Sequence, residues 1–147
     1  MIALVDNHGY VLSPLTIAPV NEVDLMLLPE GLTDLKRVAR DAGLDLTGAV
    51  LNLDAGFDSK AKRKCVFKAG LQPNIKENPR NRQQPKRGRP RFFDNALYKL
   101  RFIVERTFAW EDQCKRLLLR FETQQNHHLG FKLLAFTLLN LRGFCGD

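Results

Sequence analysis

Ile2–Val5 and Tyr10–Ile17 are apolar, β-branched-rich stretches separated by Asp6-Asn7-His8-Gly9, and this alternation predicts a β-hairpin at the start of the chain. Pro14 places the second arm at a sheet edge or a bulge, because proline donates no backbone hydrogen bond. Ala18–Pro29 reads as irregular. Leu32, Leu35, Val38, Ala39 and Ala42 then recur at helical spacing, with Thr33 as the cap and Gly43 as the stop. Ala49–Leu53 is a short, buried-strand pattern that ends at Asp54. Asp58 or Ser59 caps a basic helix that runs to about Ala69 and closes at Gly70. Leu71–Ile75 predicts a further short strand, interrupted by Pro73.

Asn78–Arg91 holds three prolines, one glycine and six basic residues, so the region 78–93 is expected to be a basic loop and not a core element. Asp94 caps a long helix with Leu97, Leu100, Val104 and Phe108 on its apolar side. Leu117–Phe121 fits either strand or helix. Asn126 or His127 opens a last helix, and its run Gly130–Arg142 is apolar on most sides, which predicts burial against other elements. The order of elements is mixed α/β, in one domain spanning 1–147. The hairpin begins at residue 2 with one edge open, and such edges are usually covered by another strand. A truncated domain is therefore expected.

Composition narrows the class. A chain of 147 residues with 44% hydrophobic and 27% charged side chains supports one core and is not disordered. No apolar run approaches the roughly 20 residues of a membrane-spanning helix, and Met1–Asp6 lacks the basic stretch of a signal peptide. Cys65, Cys114 and Cys145 are odd in number and widely spaced, which argues against a disulfide framework or zinc site and fits a reducing cytoplasm. They read as small buried residues. His8, His127 and His128 read as turn, capping or surface residues, and Phe108 and Trp110 as core anchors.

The net charge of +7 is unevenly placed. Residues 1–59 carry 3 basic and 9 acidic side chains, residues 60–91 carry 12 and 1, and residues 92–147 carry 8 and 6. A basic block this concentrated favours a polyanion, with nucleic acid ahead of a merely solvated basic face. Lys60, Lys62, Arg63, Lys64 and Lys68 fall on the predicted helix after Asp54 and are expected to contact phosphates. Lys86-Arg-Gly-Arg-Pro-Arg91 places Lys86, Arg87, Arg89 and Arg91 in the loop. It fits either a flexible basic linker or arginines entering a narrow minor groove.

Two carboxylates stand in informative settings. Asp54 closes the strand in Leu51-Asn-Leu-Asp-Ala-Gly-Phe-Asp-Ser59, and Glu105 lies on a helix in Tyr98-Lys-Leu-Arg-Phe-Ile-Val-Glu-Arg-Thr-Phe-Ala-Trp110. Tyr98, Arg101 and Glu105 share one helical stripe. Convergent carboxylates on rigid elements are what Mg²⁺ needs to act between phosphate oxygens, so the pair points to phosphoryl transfer on nucleic acid. The plainer alternatives are a strand-end cap for Asp54, a helical salt bridge for Glu105 with Arg101 or Arg106, and an N-cap for Asp58.

These residues resemble the catalytic stretches of DDE transposases of bacterial insertion sequences, through Leu53-Asp-Ala-Gly-Phe-Asp58, Tyr98-x2-Arg101-x3-Glu105 and Arg116-Leu-Leu-Leu-Arg-Phe-Glu122. The hairpin and Ala18–Asp24 are also similar to that family, so the likeness covers essentially the whole chain. It implies a ribonuclease-H-like mixed sheet flanked by helices, with three carboxylates holding two divalent ions, Mg²⁺ or Mn²⁺, for DNA cleavage and strand transfer. In that reading Asp54 and Glu105 bind metal, Arg101 contacts a phosphate or orients Glu105, and Tyr98 joins them as a catalytic-stretch residue.

The likeness implies two departures. The family's first aspartate would precede Met1, leaving Asp6 as a turn residue or a substitute ligand. The family's lysine seven residues beyond the glutamate is Asp112 here, with Lys115 as the nearest basic residue. The expectation is a cytoplasmic, nucleoid-associated protein that binds double-stranded DNA at transposon ends and target, with weak or no catalysis. It would act as a homo-oligomer or paired with an intact transposase. The alternative is a non-catalytic DNA-binding or regulatory fragment using residues 60–91.

Overall fold

A computed structural model describes residues 2–16, 24–81, 91–114, 117 and 122–145. The hairpin is present as antiparallel bridges, Ile2 with Thr16 and Val5 with Val11. Its turn is organised by Asp6, whose Oδ1 accepts the N–H groups of His8 at 2.8 Å and Tyr10 at 2.9 Å, with Gly9 at φ +95°. Ile2 pairs with Thr16 while Leu4 pairs with Leu12, so four residues of one arm oppose two of the other. The resulting bulge falls at Ser13–Pro14, where the sequence places a residue without a donor.

Helix α1 spans Asp24–Asp41 and contains Pro29. This corrects the expectation of an irregular stretch over residues 24–29 and of a start at Thr33; the rest of that expected stretch, 18–23, lies outside the described residues. Leu27, Leu28, Leu32, Leu35 and Ala39 are all buried, and this apolar stripe runs straight through the proline. Burial outweighs the one backbone bond that Pro29 removes. Thr33 does not cap; its Oγ1 donates to the Pro29 carbonyl at 2.9 Å. The chain turns at Gly43, φ +69°, and enters β1, Val50–Leu53.

A short 3₁₀ turn, Ala55–Phe57, leads to α2, Lys60–Lys68. Ser59 caps α2 by accepting the Lys62 N–H, and Gly70 closes it at φ +85°. Strand β2, Gln72–Ile75, then pairs in parallel with β1, Val50 opposite Gln72 and Leu53 opposite Ile75. Pro73 is accommodated because the ladder uses alternate residues, and its missing N–H falls between the bonding positions. The β1–α2–β2 unit packs with α1 and the hairpin in one cluster containing Leu4, Leu28, Leu32, Val66 and Leu71.

The expected helix from Asp94 is three segments: α3 (Asn95–Lys99), a 3₁₀ turn (Leu100–Phe102) and α4 (Ile103–Asp112). Asp94 Oδ1 caps it through the N–H groups of Ala96 and Leu97. The last helix, α5, spans Gln125–Cys145. It departs from the expected burial: only Ala135 and Phe136 are buried along it, while Leu134, Leu138, Leu141 and Phe144 are exposed. One side alone is engaged, through Phe108–Phe136 ring contact, the Lys132–Glu111 ion pair and Asn140, which bonds the Val11 backbone in both directions. Of the cysteines, Cys65 is half-buried and Cys114 and Cys145 are exposed, which corrects the expectation of buried thiols. No helix among the described residues is long and apolar enough to cross a membrane.

Candidate functional site

Asp54 stands at the C-terminal end of β1, where the strand direction delivers its side chain to the rim of a cavity of about 340 Å³. Glu105 reaches the same cavity from the first turn of α4, and Arg101 from the 3₁₀ turn before it. The walls are apolar, with Leu28, Leu51, Leu53, Val104 and Phe108 among them. Two carboxylates far apart in the chain therefore line one open cavity.

Arg101 donates to Asp54 Oδ1 at 2.5 Å, with the two side chains 40% and 62% exposed. Asp54 makes no capping bond to the turn that follows it, so the capping alternative does not describe it. The salt-bridge alternative for Glu105 fares no better. Arg101 goes to Asp54, Arg106 donates to the His8 carbonyl and covers the Trp110 ring at 5.2 Å, and no ion pair among the described residues engages Glu105. Tyr98 is set back from the cavity, packed on Phe93 at 5.2 Å and beneath the Arg101 guanidinium at 5.4 Å. Asp6 lines the cavity as well, with Oδ1 committed to its turn.

A buried amide pair fixes this geometry, and the sequence reading missed it. Asn74, wholly buried on β2, donates at 2.8 Å to Asn52 Oδ1 on β1 and to the Asp94 carbonyl, and accepts the Asp94 N–H at 2.9 Å. Asn52 in turn donates to the Leu97 carbonyl. The start of α3 is thus bonded to both strands, and this sets where Arg101 and Glu105 fall relative to Asp54. The signal was available: asparagines at facing positions of two short, paired strands demand partners when buried.

Asp58 is neither the helix cap nor a ligand at the cavity. Its buried carboxylate receives Arg63 Nε at 2.9 Å and an Arg91 guanidinium nitrogen at 3.0 Å on Oδ1, and the Asn78 N–H at 3.0 Å on Oδ2. Burial pushes its pKa up; the Asn78 and Arg63 hydrogen bonds and the charges of Arg63 and Arg91 outweigh that and hold it below the ordinary 3.8. One carboxylate thereby pins both ends of the 78–91 segment.

The expected phosphate contacts divide accordingly. Lys60, Lys64 and Lys68 are exposed at successive turns of α2, and Lys62 is half-buried. Arg63 departs from its expectation: it is buried, with its guanidinium spent on Asp58 and the Ile75 carbonyl, because a desolvated carboxylate needs a paired cation. Arg91 is likewise bound to Asp58, though partly exposed. Lys86, Arg87, Arg89 and Lys115 lie outside the described residues. Asp112 is exposed at the end of α4.

The donors available at the cavity fit one hard divalent cation, since Mg²⁺ commonly takes one or two carboxylates and completes its shell with water and phosphate oxygen. Asp54 retains its second oxygen and Glu105 both of its own. Among the described residues no group of three metal-ligating side chains is assembled.

Comparison with known proteins bears on what such a site belongs to. The family model described as "Transposase DDE domain" matches residues 1–141. A putative transposase for insertion sequence element IS402 from Burkholderia cepacia is 31% identical over 90 residues, which are 61% of this chain and 37% of the relative. The chain thus covers little more than a third of that relative's length. No solved structure matches.

Proposed function

The chain belongs to the transposase DDE-domain family, and from that premise we propose that it serves DNA transposition through a ribonuclease-H-like site built on Asp54 and Glu105. The observation that carries the reading is their shared cavity: a carboxylate at a strand end and another on a helix, with Arg101 beside them. A bound Mg²⁺ or Mn²⁺ would polarise a phosphate oxygen and lower the pKa of an attacking water or 3′-hydroxyl. Asp54 and Glu105 would hold the ion, and Arg101 would leave Asp54 for the DNA phosphate, for which a planar guanidinium is well suited. Tyr98 positions Arg101 by underlying it.

Lys60, Lys64 and Lys68 extend the site along α2 as a phosphate track for double-stranded DNA at transposon ends and target. With Asp54 and Glu105 as the cavity carboxylates not engaged in a turn, the described residues alone are expected to support weak or no catalysis while DNA binding persists. A Mg²⁺-dependent nicking assay tests this. Robust turnover abolished by Asp54→Ala and by Glu105→Ala would overturn the weak-activity claim while supporting the site. A second reading, non-catalytic DNA binding through residues 60–91, draws on the same exposed lysines and is favoured if binding ignores both divalent metal and Asp54→Ala.

A further inference from the structure

We propose that α2 is a major-groove reading helix in which Phe67 contacts the C5-methyl groups of thymine. The inference deepens the DNA reading above and rests on it. Helix α2 turns two different faces to its surroundings. Arg63 and Val66 point inward, the first to Asp58 and the second into the core. The outward face holds Lys60, Ala61, Lys64, Phe67 and Lys68, all exposed, over an arc of about 120° at roughly 100° per residue. No ion pair among the described residues engages Lys60, Lys64 or Lys68. No aromatic ring among them meets Phe67 either. The phenyl ring is 55% exposed, three positions from Lys64 and one from Lys68.

A ring set among ammonium groups discriminates between partners. An apolar protein surface covers the ring but strands the lysines, and an acidic one does the reverse. Duplex DNA satisfies both: phosphates take the lysines, and the base edges between the phosphate rows meet the ring. The groove follows from size. An α-helix with its side chains is about 10–12 Å across, which the major groove, about 12 Å wide, admits and the minor groove, about 6 Å wide, excludes. On the major-groove edges the thymine methyl is the one apolar group. The other edges present donors and acceptors that a phenyl ring cannot pair, so covering them costs free energy. Arg63, the side chain of this helix best suited to reading guanine, is withdrawn to Asp58 and the Ile75 carbonyl. Phe67 is therefore the specificity residue of the exposed face, and the lysines bordering it supply affinity without sequence choice.

The test uses the full chain, an alternating A·T duplex, and the same duplex with uracil in place of thymine, which removes the methyl groups alone. Binding is read by fluorescence anisotropy over a salt series in EDTA, so that cleavage does not enter. One buried methyl is worth about fourfold in affinity, and the wild-type chain is expected to bind the thymine duplex about four- to tenfold more tightly than the uracil one. Phe67→Ala should abolish that preference and keep the wild-type salt slope, whereas Phe67→Leu, still apolar, should retain most of the preference. Equal wild-type affinity for the two duplexes, or a preference that survives Phe67→Ala, would overturn the methyl contact while leaving the phosphate track standing. Binding to neither duplex would overturn the DNA reading and this contact with it.

Discussion

Arg101 and Asp54, separated by 47 positions in sequence, form a direct ion pair at the cavity rim. The contact neutralises the carboxylate proposed to bind a cation, and both partners remain substantially exposed. Its energetic worth is small, within the roughly 0–1 kcal/mol of solvent-screened pairs, so it is a reversible latch and not a structural tie. Arg101→Ala is expected to leave stability within about 0.5 kcal/mol of wild type. It should tighten Mn²⁺ binding by about two- to fivefold by removing the competing cation, and weaken DNA binding. Calorimetric titration of Mn²⁺ and DNA measures both; weaker Mn²⁺ binding would show that the guanidinium supports the ion instead.

The amide pair beneath the site is structural. Asn74→Leu removes the partner of the Asp94 N–H, the Asp94 carbonyl and Asn52 at a half-buried junction, and each group left unpaired there costs about 1–3 kcal/mol. Urea unfolding should show a loss of about 3 kcal/mol or more. A loss under 1 kcal/mol would mean that the start of α3 is held by other contacts.

Asp58 links pH to folding. Its carboxyl pKa is depressed in the folded chain, so its contribution is fully present above the unfolded value, about 3.9, and is lost as pH falls through the lower folded value. Asp58→Asn keeps the shape but leaves Arg63 buried without a counter-charge, which typically costs about 3–5 kcal/mol. Thermal melts should place the variant well below wild type at pH 7 and bring the two curves together as the pH falls through the lowered folded value. Parallel curves throughout would contradict the assignment.

How far the chain could be read from its sequence differs by element. The hairpin turn, β1, α2 and the caps at Ser59 and Asp94 were legible, because turn residues and N-caps act locally through their own side-chain bonds. The start of α1 was not. Pro29 is a strong local signal for a break, and it is overruled by the burial of Leu27 and Leu28 on the core side, a tertiary effect. Arg63 looked like its lysine neighbours until the fold brought Asp58 and the Ile75 carbonyl around it. The exposed stripe on α5 was missed for the opposite reason: apolar periodicity reports a face that wants cover, not whether the described elements supply it.

For DNA binding, the lysines of α2 separate from the arginine among them. Replacing Lys60, Lys64 and Lys68 together by alanine should leave the fold intact and lower the slope of log affinity against log salt by about 2–3, near 0.9 for each lost duplex phosphate contact. An unchanged slope would move the DNA interface away from α2.

The most direct test of the account is the stoichiometry and affinity of Mn²⁺ on the purified chain, read by water-proton relaxation enhancement. The shared cavity predicts one ion per chain, with affinity reduced about tenfold or more by Asp54→Ala and equally by Glu105→Ala. Binding that is absent from the wild-type chain, or indifferent to both substitutions, would contradict a cation site formed by these two carboxylates.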